Sequence, residues 1–404
     1  MRDVYEKVDG SVAAPAGFRA AGIACGIKSN GKPDLAVIAS DLPATAAAVF
    51  TTNRAQAAPI LVSRENLQAG AGRMRAIVVN SGCANACTGD DGVEDARTMA
   101  AMTSLALGVE PTEIMVASTG VIGVKLPMTN VTRGIDEAVR SLSRDGGPSA
   151  ARAIMTTDPF PKEAAFEVHA DAGTFRMGGI AKGSGMIEPR MATMLGFVTL
   201  DAAVASTLLQ RALKAACDDT FNAISVDGEC STNDCVAVLA NGASGVALGE
   251  TDFAALVDAL TRVCEPLAIG IVRGGEGATR LVTVRVVGAA SNDEARQTAR
   301  AIANSPLVKT AINGGDPNWG RLVAVMGRSG SAFVLEQSAV RIGPVELFRD
   351  GVPHDERAAE AAEYLKRKEI DVEVDLGTRG NGTAHMWTCD LSAEYVRINA
   401  EYRT

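Results

Sequence analysis

Residues 182–195, KGSGMIEPRMATML, decide how the rest of the chain is interpreted. Their glycine, serine and proline residues predict a turn, and the segment then leads into 196–200 (GFVTL), which has the pattern of a buried strand. The spacing alone favours a glycine-rich loop that precedes a strand. The alternative is that Thr193 is a buried nucleophile that must first be released from its own peptide bond. The rest of the chain has to decide between the two interpretations.

The composition is that of a large globular protein. The 404 residues are 47% hydrophobic and 22% charged, and a chain of this length predicts about two or three domain-sized units. Its 41 glycines and few aromatic residues are typical of tightly packed α/β layers. The net charge is −9 and Lys and Arg form no dense block, so we expect no nucleic-acid partner.

The cysteines and the N-terminus bear on the cellular compartment. The eight cysteines have irregular spacings, which favours reduced thiols in a cytoplasmic protein. Cys83 with Cys87 and Cys230 with Cys235 could form metal-binding pairs, but no histidine lies near either pair in sequence, so we expect no metal. The N-terminus has no signal-peptide pattern, and no segment predicts a membrane span. We therefore expect a cytoplasmic protein that does not bind a membrane.

Strand and helix patterns alternate along the chain, and hairpin signals recur. Asn30-Gly31, for example, predicts a tight turn between strands 22–27 and 35–39. The combination predicts an α/β protein, layered in the α+β manner, with helices outside packed sheets. The glycine-rich motifs of dinucleotide-binding and P-loop proteins are missing, which disfavours a nucleotide cradle.

Three local predictions concern the second half of the chain. The apolar pattern of 253–264 predicts an amphipathic helix that Pro266 ends. Ser291 and Glu294 have the spacing of a capping box, which predicts the start of another helix. Residues 313–321, NGGDPNWGR, have the pattern of a polar, glycine-rich loop.

The residue types near the central stretch limit the chemistry. The three histidines are in no triad-like motif, so Ser-His-Asp catalysis is disfavoured. Lys182 could act as a nucleophile, although a surface charge on a loop is the simpler interpretation. The strand that ends in Ser118-Thr119-Gly120 offers a hydroxyl and flexible N–H groups, the donors of an oxyanion hole. If the bond before Thr193 were cut, the new α-amine, with a pKa of roughly 7.7–8.0, would be the base that a threonine hydroxyl needs.

Motifs spread over nearly the whole chain resemble the ornithine acetyltransferase / glutamate N-acetyltransferase family of arginine biosynthesis. They are GFRAAGIACGIKSNGKPDLAVI (17–38), NSGCANACTG (80–89), STGVIG (118–123), MTTD (155–158), GGIAKGSGMIEPRMATML (178–195), SVDGECSTND (225–234), GGEGATR (274–280) and DPNWGR (316–321). Of these, the central motif is the most specific to the family.

The resemblance implies a self-cleaving, N-terminal-nucleophile-like αββα architecture. Cleavage between Ala192 and Thr193 would give an α chain, 1–192, and a β chain, 193–404, which form one intertwined catalytic unit. Thr193 would then carry the acetyl group in a ping-pong transfer from N-acetylornithine to glutamate. The family also implies an assembly of two α and two β chains. It implies no cofactor, but acetyl-CoA remains open as a co-substrate.

The resemblance also assigns site residues. Thr119 and Gly120 match the oxyanion pair, with Lys182 suited to a substrate α-carboxylate and Glu276 to the side-chain amino group of ornithine. The full set of matched substrate-binding positions is Thr156, Lys182, Thr193, Glu276, Asn399 and Thr404. Cys83 departs from the family, which has asparagine there, and we expect either a neutral change or an altered substrate preference.

Two other functions remain open from the sequence. One is an amidohydrolase or aminopeptidase of related fold, in which water replaces glutamate as the acceptor. The other is a non-enzymatic binding protein, which would make Thr193→Ser and Thr193→Ala behave alike. The joint presence of the Ala192–Thr193 junction, Thr119, Gly120 and Lys182 argues against the binding protein, because binding alone would not require all four.

Overall fold

The computed structural model describes residues 4–188 and 194–401, which form two compact units. The larger unit takes residues up to Asn222 together with Glu229–Ile271, and the smaller takes Ala223–Gly228 and the residues from Val272 onward. The predicted division into 1–192 and 193–404 concerns the covalent chain rather than these units, and it stays a prediction.

A large mixed sheet forms the centre of the larger unit. The strands of this unit are β1 (Tyr5–Lys7), β2 (Phe18–Ile23), β3 (Leu35–Phe50), β4 (Arg73–Cys83), β5 (Ile114–Val121), β6 (Lys162–Ala170), β7 (Gly173–Lys182), β8 (Leu195–Leu200), β9 (Ala203–Val204), β10 (Cys235–Ala240) and β11 (Ala247–Leu248). The order in the sheet is β1-β6-β7-β8-β10-β3-β4-β5, with β2 also paired to β3, while β9 and β11 pair separately. Parallel pairing joins β8 to β10 and β4 to β5, and the other pairs in this sheet are antiparallel.

Both faces of this sheet are buried, which explains its apolar strands. Ile38 and Ile77 belong to one hydrophobic core, whereas their chain neighbours Val37 and Val78 belong to another. Successive side chains of a strand point to opposite faces, so two cores with alternating membership mean that the sheet is covered on both sides. The predicted layered α/β class is therefore confirmed.

Helices accompany the sheet in the larger unit. They are α1 (Ala58–Ala69), α2 (Gly89–Leu107), α3 (Met128–Arg140), α4 (Gly147–Ala153), α5 (Ser206–Asp219) and α6 (Phe253–Arg273). The prediction that Pro266 ends the last of these was wrong, because α6 continues for seven residues beyond it. Buried Leu267 and Ile271 extend the apolar side of the helix, and this burial outweighs the lost backbone hydrogen bond. No helix among the described residues is long and apolar enough to cross a bilayer.

The smaller unit has its own sheet and core. Its strands are β12 (Leu281–Ala289), β13 (Ala339–Ile342), β14 (Val345–Arg349), β15 (Val352–Pro353), β16 (Glu369–Asp375) and β17 (Gly382–Cys389), in the order β15-β14-β13-β16-β12-β17. Its helices are α7 (Asn292–Ala303), α8 (Pro306–Gly314), α9 (Trp319–Arg328), α10 (Ala358–Tyr364) and α11 (Ala393–Glu401). The predicted cap is confirmed, since the Ser291 side chain accepts a hydrogen bond from the N–H of Glu294. The predicted loop 313–321 was wrong in extent, because α8 and α9 include both of its ends.

The first hairpin was predicted with the correct partners but the wrong turn. Strands β2 and β3 pair antiparallel, and Ile23 lies opposite Leu35, so the connection is much longer than a tight Asn30-Gly31 turn. The buried carboxylate of Asp34 organises this connection by accepting hydrogen bonds from the N–H groups of residues 25–28, at 2.7–3.2 Å. A carboxylate held by several N–H donors fixes a loop that the two-residue turn signal could not anticipate.

Candidate active site

The predicted oxyanion residues lie at the end of β5. Parallel pairing continues to the end of the strand, where Thr119 lies opposite Ser81 and Gly120 opposite Gly82. Gly120 has a φ of +132°, and a Cβ there would lie 2.3 Å from the carbonyl carbon of Gly82. Both observations require glycine at position 120. The close approach of the two strands thus fixes the backbone of the predicted oxyanion pair.

Buried amide and hydroxyl side chains hold this strand end in place. Ser118 donates its hydroxyl hydrogen bond to Asn80 (2.5 Å), whose amide donates to the Cys83 carbonyl (2.8 Å). The amide of Asn233 donates to the carbonyls of Ala84 (2.6 Å) and Ser118 (2.9 Å). Because buried polar groups need partners, this network favours one backbone arrangement. These residues lie in the motifs 80–89, 118–123 and 225–234, whose sequences do not indicate the contacts between them.

Lys182 is the last residue of β7, and its side chain reaches the predicted oxyanion residues. It is 8% exposed, and its Nζ donates a hydrogen bond to Thr119 Oγ1 at 3.0 Å. The interpretation of Lys182 as a surface charge was therefore wrong, because pairing of β7 with its neighbours turns the side chain inward. Lys182 also lies opposite Leu195, the first residue of β8. Ala192 and Thr193, the predicted cleavage pair, lie outside the described residues.

A buried ion pair lies beside Lys182. Asp158 and Lys162 are almost completely buried, and their Oδ1 and Nζ atoms are 2.5 Å apart. Burial raises the pKa of Asp158, but the charges of Lys162 and Lys182 and the Gly183 N–H outweigh burial and lower it to about 2. Asp158 also accepts the backbone N–H of Thr156, a predicted substrate-binding residue, at 2.9 Å. Asp158 is in the MTTD motif, but nothing in the local sequence indicated Lys162 as its partner.

A further lysine fixes the chain just before Thr156. The Nζ of Lys28 donates to the carbonyls of Pro33 (2.8 Å) and Met155 (2.7 Å). Burial lowers its pKa to about 8, against the opposing effects of the Asp34 and Asp158 carboxylates. The larger unit therefore connects Lys182 to Thr119 directly and to Thr156 through Asp158, with Gly120 next to Thr119 in the chain.

In the smaller unit, two other predicted residues meet. The Asn399 amide donates to Glu276 Oε2 at 2.9 Å, and Glu276 is only 8% exposed. Their approach depends on Gly277, whose φ is +68° and where a Cβ would lie 2.4 Å from the Tyr395 backbone nitrogen. Thr404 lies outside the described residues. The smaller unit thus offers a carboxylate and an amide, groups that suit an ammonium.

The cysteine pairs considered as metal sites form no cluster of three or more possible ligands within the described chain. The described residues do contain one group of possible metal ligands, formed by exposed Glu6 and half-buried Glu167 and His169. Acidic groups on a surface commonly occur without an ion, so this grouping carries no metal assignment. The expectation that the protein holds no metal stays a prediction.

A buried lysine that contacts a threonine hydroxyl at a strand end, beside a carboxylate, is an arrangement that an acyl-transfer enzyme can use. The chain belongs to the ArgJ family, whose sequence model matches residues 19–404. A relative from Symbiobacterium thermophilum, named arginine biosynthesis bifunctional protein ArgJ, is 49% identical over 99% of this chain and 100% of its own length. A relative of the same name from a Synechococcus species is 49% identical, with both chains covered completely.

Solved structures of related proteins are also similar to parts of the chain. The crystal structure of ornithine acetyltransferase complexed with ornithine from Mycobacterium tuberculosis is 42% identical. The match includes 47% of the present chain and 99% of the Mycobacterium tuberculosis chain, and its TM-score is 0.43.

Proposed function

We propose that this chain catalyses ping-pong acetyl transfer from N-acetylornithine to glutamate through an acetyl ester on Thr193. The observation that carries the proposal is the contact between Lys182 and Thr119, in a chain that belongs to the ArgJ family. The contact joins the buried ammonium of Lys182 to the Thr119 hydroxyl at the end of β5. This is the combination that binding a substrate carboxylate and stabilising an oxyanion require.

The geometry supports a role for Thr119 as an oxyanion donor. Its oxygen accepts the hydrogen bond from Lys182, so its own proton is available for a developing negative charge. In the proposed first half-reaction, the Thr193 hydroxyl attacks the acetyl carbonyl and its proton passes to the Thr193 α-amine. The tetrahedral intermediate then expels ornithine, which takes up that proton, and leaves the acetyl ester.

In the second half-reaction, the amine of glutamate attacks the ester carbonyl. The same donors stabilise the oxyanion. The glutamate nitrogen gives a proton to the Thr193 α-amine, which passes it to the Thr193 oxygen as the C–O bond breaks, and N-acetylglutamate is released. Glu276, which accepts a hydrogen bond from Asn399, is proposed to bind the side-chain amino group of ornithine. Asn399, Thr156 and Thr404 are proposed as substrate-binding residues from the family resemblance. Acetyl-CoA is proposed as a second acetyl donor to Thr193.

The mechanism requires a free α-amine at Thr193, so we propose self-cleavage of the Ala192–Thr193 bond. The resulting chains, 1–192 and 193–404, are proposed to assemble as two α and two β chains in the cytoplasm. These features come from the family resemblance together with the chemistry of an N-terminal threonine.

The first test is an intact-mass spectrum of the purified, denatured protein. We expect two chains, the second beginning at Thr193, and then ornithine release from N-acetylornithine that depends on glutamate. Thr193→Ala should remain uncut and inactive. An uncut chain that is nevertheless active would contradict the amine-as-base mechanism, and acetate release without glutamate would instead favour the amidohydrolase.

A further inference from the structure

Asp158 has a position that the proposed reaction does not yet explain. Its carboxylate accepts hydrogen bonds from Lys162 Nζ and from the backbone N–H of Gly183, at 2.5 and 2.7 Å. It also accepts the backbone N–H of Thr156. A single buried carboxylate therefore joins its own loop and the start of β6 to Gly183, which lies 25 residues further along the chain.

The Gly183 contact lies on the chain segment that leads to the predicted cleavage junction. Gly183 directly follows Lys182 and is the first residue beyond β7. The site for an added Cβ at Gly183 is also crowded, with Ile187 Cδ1 at 3.0 Å and Ile271 Cγ2 at 3.2 Å. The segment therefore leaves β7 with both its backbone N–H and its packing fixed.

The carboxylate itself is held by the fold rather than by this segment. Lys162 is the first residue of β6 and lies opposite Ala181 of β7. The stem of Lys162 also packs under α6, because a Cβ at Gly270 would lie 3.1 Å from its Cγ. The ion pair is thus anchored by β6 and α6, and Asp158 is a fixed acceptor for the N–H of Gly183.

We propose that Asp158 is a positioning residue for self-cleavage. By binding the N–H groups of Gly183 and Thr156, it fixes the start of the segment that leads from β7 to the Ala192–Thr193 bond, and this fixed start speeds cleavage of that bond. No bond is made or broken at Asp158. The inference rests on the proposed function, because it assumes that cleavage at this bond matures the enzyme.

The test follows cleavage with time after cell-free synthesis of the full chain, using gel electrophoresis and intact mass. Asp158→Asn keeps one acceptor oxygen, whereas Asp158→Leu combined with Lys162→Met keeps none and removes both charges, so no buried charge is left unpaired. Asp201→Asn is the matched control. Asp201 is another buried carboxylate that accepts two backbone N–H groups, those of Ala16 and Arg176.

We expect the rate of cleavage to fall as the residue at position 158 accepts fewer backbone N–H hydrogen bonds. Asp158→Asn should slow cleavage about tenfold, the effect of one lost hydrogen bond, and the double variant should slow it further. Asp201→Asn should cleave at the wild-type rate even where its melting temperature is as low as that of Asp158→Asn. Normal cleavage in an equally destabilised Asp201→Asn variant would show that the slow cleavage of Asp158→Asn comes from lost positioning and not from lower stability.

Two results would overturn the inference while leaving the proposed function intact. In one, wild type is cut and the double variant is cut at the same rate. In the other, Asp201→Asn and Asp158→Asn slow cleavage equally at equal melting temperature. If wild type itself remains uncut, the proposed function fails, and the inference fails with it.

Discussion

Replacing Lys182 with methionine tests the proposed carboxylate site directly. Methionine retains a similar apolar stem but has no ammonium, so the hydrogen bond to Thr119 is lost. Asp158 keeps its ion pair with Lys162 at 2.5 Å, so the change does not leave that carboxylate alone. We therefore expect the variant to fold, which allows its kinetics to be compared with those of wild type.

The size of the expected increase in KM follows from the burial of the Lys182 ammonium. Lys182 is 8% exposed, so a hydrogen bond from it to a substrate carboxylate is worth about 1.5–3 kcal/mol. That free energy corresponds to roughly a 10- to 150-fold increase in KM at 25 °C. N-acetylornithine and glutamate both carry an α-carboxylate, so the KM of both substrates should rise. A loss of ground-state and transition-state binding together leaves kcat nearly unchanged.

The assay is steady-state acetyl transfer with each substrate varied in turn, on protein whose cleaved fraction has been determined by intact mass. Lys214→Met is the matched control, because Lys214 is an exposed lysine in a surface ion pair with Asp218. If kcat falls while both KM values stay at wild type, Lys182 acts through Thr119 in the transition state. That result would refute the reasoning that it binds the substrate carboxylate.

Three further predictions concern the fold, the pH dependence and the substrate side chain. Gly120→Ala should destabilise the protein by at least about 1–3 kcal/mol from its positive φ alone, whereas Gly314→Ala, where nothing lies within 4 Å of the new Cβ, should not; thermal unfolding checks both. The pKa of Lys28 is lowered to about 8, so the unfolded chain binds more protons between pH 8 and 10.5, and wild type should gain stability relative to Lys28→Met as pH rises through that window. Melting temperatures of both proteins at several pH values would show this, and a constant difference would contradict it. Glu276→Gln should raise the KM for N-acetylornithine about tenfold and change that for glutamate less, in the same transfer assay.

The sequence predicted those features that depend on neighbouring residues. The cap at Ser291 was correct because its donor is only three residues away. The end of α6 was missed because a local rule about Pro266 competed with burial of Ile271, which depends on the folded protein. Similarly, the turn signal Asn30-Gly31 gave no information about Asp34, whose contacts organise the longer loop.

In the candidate site, too, the sequence identified residues but not the contacts that depend on the folded protein. The resemblance identified Lys182, Thr119 and Glu276 by their motifs, although their contacts required the structure. Lys162 escaped prediction because it lies in an ordinary strand pattern, and only the pairing of β6 with β7 brings it near Lys182. Lys162 is only four residues from Asp158, but the burial of this pair and its place beside Lys182 depend on the sheet, about which periodicity and spacing contain little information.

The pairing of β7 with β8 explains how a cut between them could leave the site assembled. Each of these strands keeps a second neighbour, since β7 also pairs with β6 and β8 also pairs with β10. The ladder between Lys182 and Leu195 consists of hydrogen bonds rather than the covalent connection, so breaking that connection removes none of them. Thr193 stands two residues before Leu195 in sequence, and Leu195 lies opposite the lysine that contacts Thr119. Cleavage of the proposed bond would therefore leave Leu195 paired opposite the lysine that contacts Thr119, because neither strand depends on the covalent connection for its place in the sheet.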